Sequence, residues 1–287
     1  MTTTPLSELA AAFAGLVAGA APSIVSLKSG RSRATGFAWR PRLIVAADEL
    51  IDDDDDLRLT LPGGEEIAGQ LVGRDHTTDV ALIRVERDLP QLAVSTEVPA
   101  AGSLVFAIGA EAGLPRVASG VVAFAGPAWR SLRGGTIDAR VELDLALPRA
   151  SEGAPVLDAD GVVRGMAVRS RRRSLMIPAA TIVRVAATLE AKGYIPRGYL
   201  GLALHPVKTA AGSGAMVMAV EAGGPGDQAG LRQGDVVTGW DGAPTASLAA
   251  IMAALGPDSV GRTVKLAVAL GGAAREASLT IGERPRA

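Results

Sequence analysis

The chain contains two histidines, His76 and His205, and no cysteine. Any mechanism that moves a proton through an imidazole must use one of these two residues. The lack of cysteine removes thiolate nucleophiles, disulfides and Cys-ligated zinc together. Carboxylates are more plentiful. The turn Ala150-Ser151-Glu152-Gly153-Ala154-Pro155 sets an acid between a serine and a glycine, and further acids stand at Asp48, Glu49 and Asp79. The acidic run at 52–56 lacks the alternating ligands and distal bidentate acid of a calcium loop, and reads as a solvated turn. No metal and no cofactor are expected.

These residues need elements to position them. The chain is 48% hydrophobic with a net charge of −1, so it can bury a core and carries no electrostatic footprint for nucleic acid. Its 287 residues suggest two or three domains. Short apolar runs split by Gly, Pro and Asp recur at 36–39, 43–46, 57–61, 67–72, 80–85, 104–108, 120–124, 140–143 and 162–168. Strands this short and frequent indicate a barrel or sandwich. Pro62-Gly63-Gly64 reads as a hairpin turn. Helical spacing predicts a helix over 178–191, and Gly193, Pro196 and Gly198 mark 192–198 as a linker. Beyond it, short strands mix with one helix at 247–255, capped by Ser247 and stopped by Gly256-Pro257.

Residues 9–27 carry no charge, but Glu8 precedes them and no Lys or Arg occurs before Lys28. The run is mostly Ala and Gly, with Pro22 inside it. A signal peptide wants a basic start, and a transmembrane helix wants more Leu, Ile and Phe. The reading is an Ala-rich helix over 6–20 and a strand at 23–27, with no clear membrane anchor. It places the protein in the cytoplasm, the alternative being a periplasmic or membrane-attached protein held through 9–27.

Several segments resemble one family when taken in order. They are Thr35-Gly36-Phe37-Ala38-Trp39, then Leu71-Val72-Gly73-Arg74-Asp75 with Thr78-Asp79-Val80-Ala81-Leu82. Val105-Phe106-Ala107-Ile108-Gly109 and Ser119-Gly120-Val121-Val122 follow, then Gly161-Val162-Val163-Arg164-Gly165-Met166-Ala167-Val168 and Ile177-Pro178. Their order and spacing resemble the HtrA/DegP-type serine proteases, over nearly the whole chain. The resemblance implies a mostly β protein: a trypsin-like double six-stranded β-barrel followed by one PDZ domain of α+β type. The implied divisions are an N-terminal helical segment (1–22), a first barrel (23–100), a second barrel with its terminal helix (101–191), a linker (192–198) and the PDZ domain (199–283).

By this resemblance Asp79 matches the triad aspartate, Glu152 the nucleophilic serine and Ala150 the oxyanion-turn glycine. The triad histidine falls within Val45-Ala46-Ala47-Asp48-Glu49. Counting back from Leu57 selects Glu49, whereas the Ala-Ala pair alone selects Asp48. The family mechanism needs an imidazole to take a proton from a hydroxyl and return it to the leaving amine. A glutamate nucleophile would have to make an acid anhydride from an amide, which is far uphill. The resemblance therefore implies a pseudoprotease that binds peptides or proteins. The alternatives are an active endopeptidase of protein quality control with a differently placed triad, and a structural subunit that assembles with active homologues. Ser151, one residue off on a tight turn, points elsewhere. His76 reads as an exposed turn histidine and His205 as a surface residue.

If Glu49, Asp79 and Glu152 converge as that fold implies, they cannot all ionise without a counter-charge. Pairing with Arg149, Arg164, Arg169, Arg171, Arg172 or Arg173 is the expectation; a proton shared between two acids and a bound cation are the alternatives. The blandest reading has Glu152 pointing to solvent. The basic residues at 169–173 either recognise acidic peptides or phosphate, or form a solvated loop.

Gly198-Tyr199-Leu200-Gly201-Leu202 resembles the carboxylate-binding loop of PDZ domains, and Ala229-Gly230-Leu231-Arg232-Gln233-Gly234-Asp235-Val236-Val237 resembles a second PDZ signature. The resemblance implies that Tyr199, Leu200, Gly201 and Leu202 receive a peptide C-terminus while Leu248, Ile251 and Met252 line the groove. Implied partners are C-terminal peptides and unfolded or partner proteins, together with a homotrimer formed through 6–16. A groove closed by permanent packing against the barrels is the alternative.

Overall fold

The computed structural model describes residues 4–52, 56–170, 173–209, 212–244, 247–270 and 273–285. The chain divides into two compact units, Met1–Ile195 and Pro196–Ala287.

The first unit opens with helix α1 (Pro5–Ala20), where the Thr4 hydroxyl caps the first turn by accepting the Ser7 N–H at 3.3 Å. Phe13, Leu16 and Val17 pack on the core below, Phe13 meeting Phe106 edge-on at 4.8 Å. Leu6 and Leu9, nearer the N-terminus, stay exposed. The helix and the turn after it, Pro5–Ser23, are long and apolar enough to cross a membrane.

Six strands then close the first barrel: β1 (Ile24–Ser29), β2 (Ser32–Arg40), β3 (Leu43–Ala46), β4 (Leu57–Thr60), β5 (Glu66–Asp75) and β6 (Val80–Val85), in the order β1-β2-β3-β6-β5-β4. Alternation sets the inward face of β4, with Leu57 and Leu59 buried and Arg58 exposed. β3 is buried on both faces. Ile44 and Ala46 fill this barrel, while Leu43 and Val45 join a second cluster that includes Phe106 and Ile108 of the next one. A strand covered on both sides loses its polar alternation, which is why 43–46 reads as a continuous apolar run.

The second barrel is built from β7 (Leu104–Glu111), β8 (Leu114–Gly126), a ribbon of β9 (Trp129–Arg130) and β10 (Thr136–Ile137), then β11 (Arg140–Asp144), β12 (Pro155–Leu157), β13 (Val163–Arg169) and β14 (Ser174–Pro178). It closes as β11-β14-β13-β12-β7-β8, with the ribbon outside the barrel. Helix α2 (Ala179–Lys192) seals the unit through Ile182, Val185, Ala186 and Leu189, all buried. The sequence marks this helix within a residue at each end. It does not mark β9, β10 or β12.

In the second unit β15 (Gly198–Tyr199) leads into β16 (Leu202–Thr209), β17 (Gly212–Val220), the short α3 (Pro225–Gln228), β18 (Val236–Trp240) and β19 (Ala243–Pro244). Helix α4 (Leu248–Ala254), β20 (Thr263–Leu270), β21 (Ala273–Thr280) and β22 (Gly282–Glu283) complete it. The main sheet runs β16-β17-β18-β20-β21, and β22 returns to pair with β15. Ser247 caps α4 by accepting the Ala250 N–H at 3.2 Å, as its position before the apolar run predicts.

Candidate functional site

Glu49, Asp79 and Glu152 line one open cleft of about 740 Å³ in the first unit. Each is delivered by a turn that the neighbouring chain fixes.

Asp79 follows a turn organised by the buried Asp75. The Asp75 carboxylate accepts the Thr77 N–H at 3.0 Å and the Thr77 and Thr78 hydroxyls at 2.6 and 2.7 Å. Asp79 then takes a left-handed backbone, φ 61°, immediately before β6. That conformation is costly for most side chains and tolerated by Asp.

The 3-10 turn Asp48–Leu50 leaves β3 beside it, and Asp79 Oδ1 accepts the Glu49 N–H at 2.7 Å. The two acids of this turn diverge. Asp48 is 1% exposed and buries its carboxylate against the guanidinium of Arg74 and His76 Nδ1, the latter at 2.7 Å. Arg74 also donates to the Asp48 and Ile51 carbonyls at 3.1 and 3.0 Å, locking the turn. Glu49 instead reaches the cleft, with Arg133 3.8 Å from its carboxylate.

Glu152 follows the 3-10 turn Arg149–Ser151. Thr35 clamps this turn from β2: its N–H donates to the Glu152 carbonyl and its hydroxyl to the Ala150 carbonyl, both at 2.8 Å. Gly153 has φ +87° and lies so close to β2 that a Cβ there would stand 2.2 Å from the Thr35 carbonyl oxygen. Only glycine suits both demands. The Glu152 side chain is 6% exposed, and its Oε1 accepts the Arg169 backbone N–H at 2.9 Å. The Glu152 N–H donates to the Arg149 carbonyl at 3.1 Å, so it is spent within the turn. Ser151 faces inward, 1% exposed, its Oγ buried without a hydrogen-bond partner. It has no access to the cleft.

The charges settle unequally. Burial, reinforced by the carboxylates of Asp48, Glu152 and Glu49, lifts Asp79 to about 7, against the opposing Glu49 N–H. Burial also raises Glu152, partly offset by the Arg169 N–H and by the charges of Arg169 and Arg149. The expected arginine pairing does not form as anticipated. Arg164 of β13 bonds Asp158 at 2.7 Å, and Arg173, just before β14, bonds Glu142 of the neighbouring β11 at 2.9 Å. Arg169 serves through its backbone, and Arg171 and Arg172 lie outside the described residues, as do 53–55 of the acidic run. Nor does Glu152 point to solvent, since the turn folds its side chain onto β13. His76 is exposed as expected, yet bonded to Asp48. Among the described residues no hydroxyl contacts its other ring nitrogen, and no group of three His, Asp or Glu side chains is placed to hold a metal ion. Arg133, and the Arg74 bond to Asp48, carried no signal in the sequence.

In the second unit Leu200, Gly201 and Leu202 form a turn pinned by its carbonyls. Leu200 accepts the Gly226 N–H at 2.7 Å and Gly201 the Glu221 N–H at 2.9 Å. Gly201 has φ +65°, with Pro225 closing one side. Tyr199 donates its hydroxyl to Glu221. Leu200 and Ile251 are buried in the core of the unit, Leu202 and Leu248 pack partly against it, and Met252 is 57% exposed. Asp235 is buried and accepts the Arg232 N–H at 2.9 Å and the Arg275 guanidinium at 2.8 Å, which holds the 229–237 segment.

Residues 34–166 match the trypsin-like peptidase domain model, and residues 198–281 match the PDZ domain model. Two six-stranded barrels followed by a PDZ sheet define the class, a trypsin-like fold joined to a peptide-recognition fold. Similar proteins carry the same pair. The chain is 30% identical over 274 residues to a probable periplasmic serine endoprotease DegP-like from Halomonas elongata, covering 89% of this chain and 57% of that protein. A protein so named from Rhizobium meliloti is 29% identical over 280 residues, covering 89% and 54%. Among solved structures, the serine endoprotease from Yersinia pestis superposes with a TM-score of 0.74 at 22% identity, covering 99% of this chain and 100% of that one. The HtrA-type protease AlgW with decapeptide superposes at 0.73 and 20% identity, covering 96% and 99%. The chain carries a trypsin-like peptidase domain followed by a PDZ domain, and over that pair it is similar to the HtrA/DegP-type proteases. It spans about half the length of the curated relatives it matches.

These relatives correct the cytoplasmic placement drawn from the N-terminal residues, because they are named periplasmic. The absence of a basic residue before Lys28 is a weak physical warrant for a compartment.

Proposed function

We propose that this protein is a proteolytically silent member of its family, working in the periplasm by holding peptide or protein C-termini in its PDZ domain. The observation that carries the reading is Glu152. A buried carboxylate, bonded to the Arg169 N–H, occupies the place where the resemblance puts the nucleophile. Glu49 and Asp48, the two positions between which the resemblance puts the imidazole, are both acids, and Ala150 belongs to a turn whose following N–H is already spent on Arg149. Acyl transfer requires a nucleophile, a base to activate it and donors aimed at the developing oxyanion, and at the positions where the resemblance puts them this chain carries carboxylates and an N–H already bonded within its turn.

The PDZ half supports the binding reading. The turn at Leu200–Gly201–Leu202 keeps its carbonyls engaged, β16 is an open edge, and α4 offers Met252 beside it. A solved HtrA-type relative was crystallised with a decapeptide. The exposed Leu6 and Leu9 of α1 support self-association, as the trimer that the family resemblance implies.

Two measurements test the reading together. A fluorescent casein digest should show no turnover, and fluorescence polarisation should detect a peptide with a free apolar C-terminus. Turnover would overturn the silence, and failure of every peptide would overturn the binding role.

A further inference from the structure

The peptide-binding reading leaves open how much of a peptide the groove can pair with, and one residue of the edge strand decides it. Among the described residues β16 ends its sheet and pairs on one side only, with β17. Along an antiparallel strand, the N–H and C=O of one residue face the partner and those of the next face away. The phase is set where β16 begins: the Gly201 carbonyl accepts the Glu221 N–H, toward β17. Leu202, Leu204 and Pro206 therefore direct their backbone groups to the open side. The register irregularity after Ala203 does not disturb this, because the residue it skips, Met218, lies on β17. The side chains keep the same alternation, with Leu202 and Leu204 packed toward the core and Ala203 and His205 exposed. A proline has no N–H to give a neighbour, which agrees with its place on the open side.

The open edge thus offers an N–H and a C=O at Leu202 and at Leu204, but only a carbonyl at Pro206. A peptide laid antiparallel, with its carboxylate at the Leu200–Leu202 turn, sets its last residue opposite Leu202, its third-last opposite Leu204 and its fifth-last opposite Pro206. The carbonyl of the fifth-last residue then meets a pyrrolidine ring where a donor should be. We propose that Pro206 ends the main-chain pairing, so that this groove recognises a C-terminal tripeptide by its backbone and leaves the preceding residues unpaired.

The inference rests on peptide binding by this unit, and the test separates the two. The full-length protein and a Pro206→Val variant are titrated with a tripeptide ending in free valine and with an octapeptide that extends it by five residues of alanine and serine. In the native protein the two affinities should agree within about twofold. In the variant the octapeptide should tighten by roughly three- to tenfold, the worth of one restored hydrogen bond, while the tripeptide is unchanged. Unchanged tripeptide affinity also shows that the variant groove is folded. N-methylation of the third-last residue of the octapeptide, an internal amide, should weaken that peptide in both proteins by at least about tenfold, since it removes the donor to the Leu204 carbonyl. An octapeptide that binds the native protein several-fold more tightly than the tripeptide overturns the proposal while leaving the binding reading intact, as does a variant that gains nothing. If neither peptide binds, both fall.

Discussion

Asp79 Oδ1 accepts the Glu49 backbone N–H at 2.7 Å, so one acid fixes the position of another. An imidazole side chain at position 49 would give the Asp79 carboxylate a cation to face. Here burial, reinforced by the carboxylates of Asp48, Glu152 and Glu49, lifts the Asp79 carboxyl to about 7 instead.

That shift makes stability depend on pH near neutrality. Asp79 sits at about 7 in the fold, against roughly 3.9 in an unfolded chain. A carboxyl raised in this way contributes stability that is fully present below the unfolded value and is lost as pH rises through the folded one. Melting temperatures should therefore fall for the native protein relative to Asp79→Asn as pH rises from 5 toward 7, and the difference should level off above about 7. The asparagine carbonyl can still accept the Glu49 N–H, so the comparison isolates ionisation. Parallel profiles would mean that the cleft acids do not share this strain.

Replacing Glu152 alone should not create a protease. Glu152→Ser supplies a hydroxyl, but position 49 carries no imidazole, the His76 ring of the cleft is bonded through Nδ1 to Asp48, and the N–H at position 152 remains bonded to Arg149. Casein turnover and fluorophosphonate labelling should stay at background in the native protein, in this variant and in Ser151→Ala. Labelling lost in Ser151→Ala would show that the buried Ser151 hydroxyl reaches reagents and that the silent reading is wrong.

Asp48 and Glu49 are neighbours with opposite structural duties, and mutation should separate them. Asp48→Ala leaves Arg74 and His76 without their carboxylate and should cost about 3–5 kcal/mol, as the loss of one member of a buried pair does. Glu49→Ala removes an exposed side chain with one loose partner, Arg133, and should cost under about 1 kcal/mol. Urea denaturation of both variants decides it. Equal costs would contradict the division of labour seen in the turn.

The barrels were legible because most of their strands, though not β12, declare themselves through local pattern. Leu57 and Leu59 alternate around Arg58, and 43–46 and 80–83 are apolar throughout because both faces are covered. The short β9–β10 ribbon declares nothing, so Arg133, which it carries into the cleft, could not be found. The choice between Asp48 and Glu49 was invisible for a related reason. It depends on Arg74, twenty-six residues away in sequence, whose bond to Asp48 exists only once β5 pairs with β6. The arginine partners of the acids failed in the same way. Proximity in sequence suggested Arg164 and Arg173, whereas the fold gave those side chains to Asp158 and Glu142.

The carboxylate turn of the PDZ unit gives the sharpest test of binding. Gly201 combines a left-handed backbone, φ +65°, with a Cβ position 3.1 Å from Pro225 Cδ. A β-branched residue there must either strain the backbone or move α3, and either change displaces the N–H groups meant for a peptide carboxylate. Gly201→Val should therefore weaken a valine-ended peptide by at least about tenfold, from a native affinity on the order of micromolar, since a short strand addition buries little area and must order the peptide. Amidating that peptide should cost the native protein a comparable factor, because the charge-assisted bonds go with the carboxylate. In Gly201→Val the amide and the acid should bind alike, the turn having already lost its donors. A native protein that binds acid and amide equally places recognition elsewhere on the molecule, and the exposed Met252 then ceases to have a groove to serve.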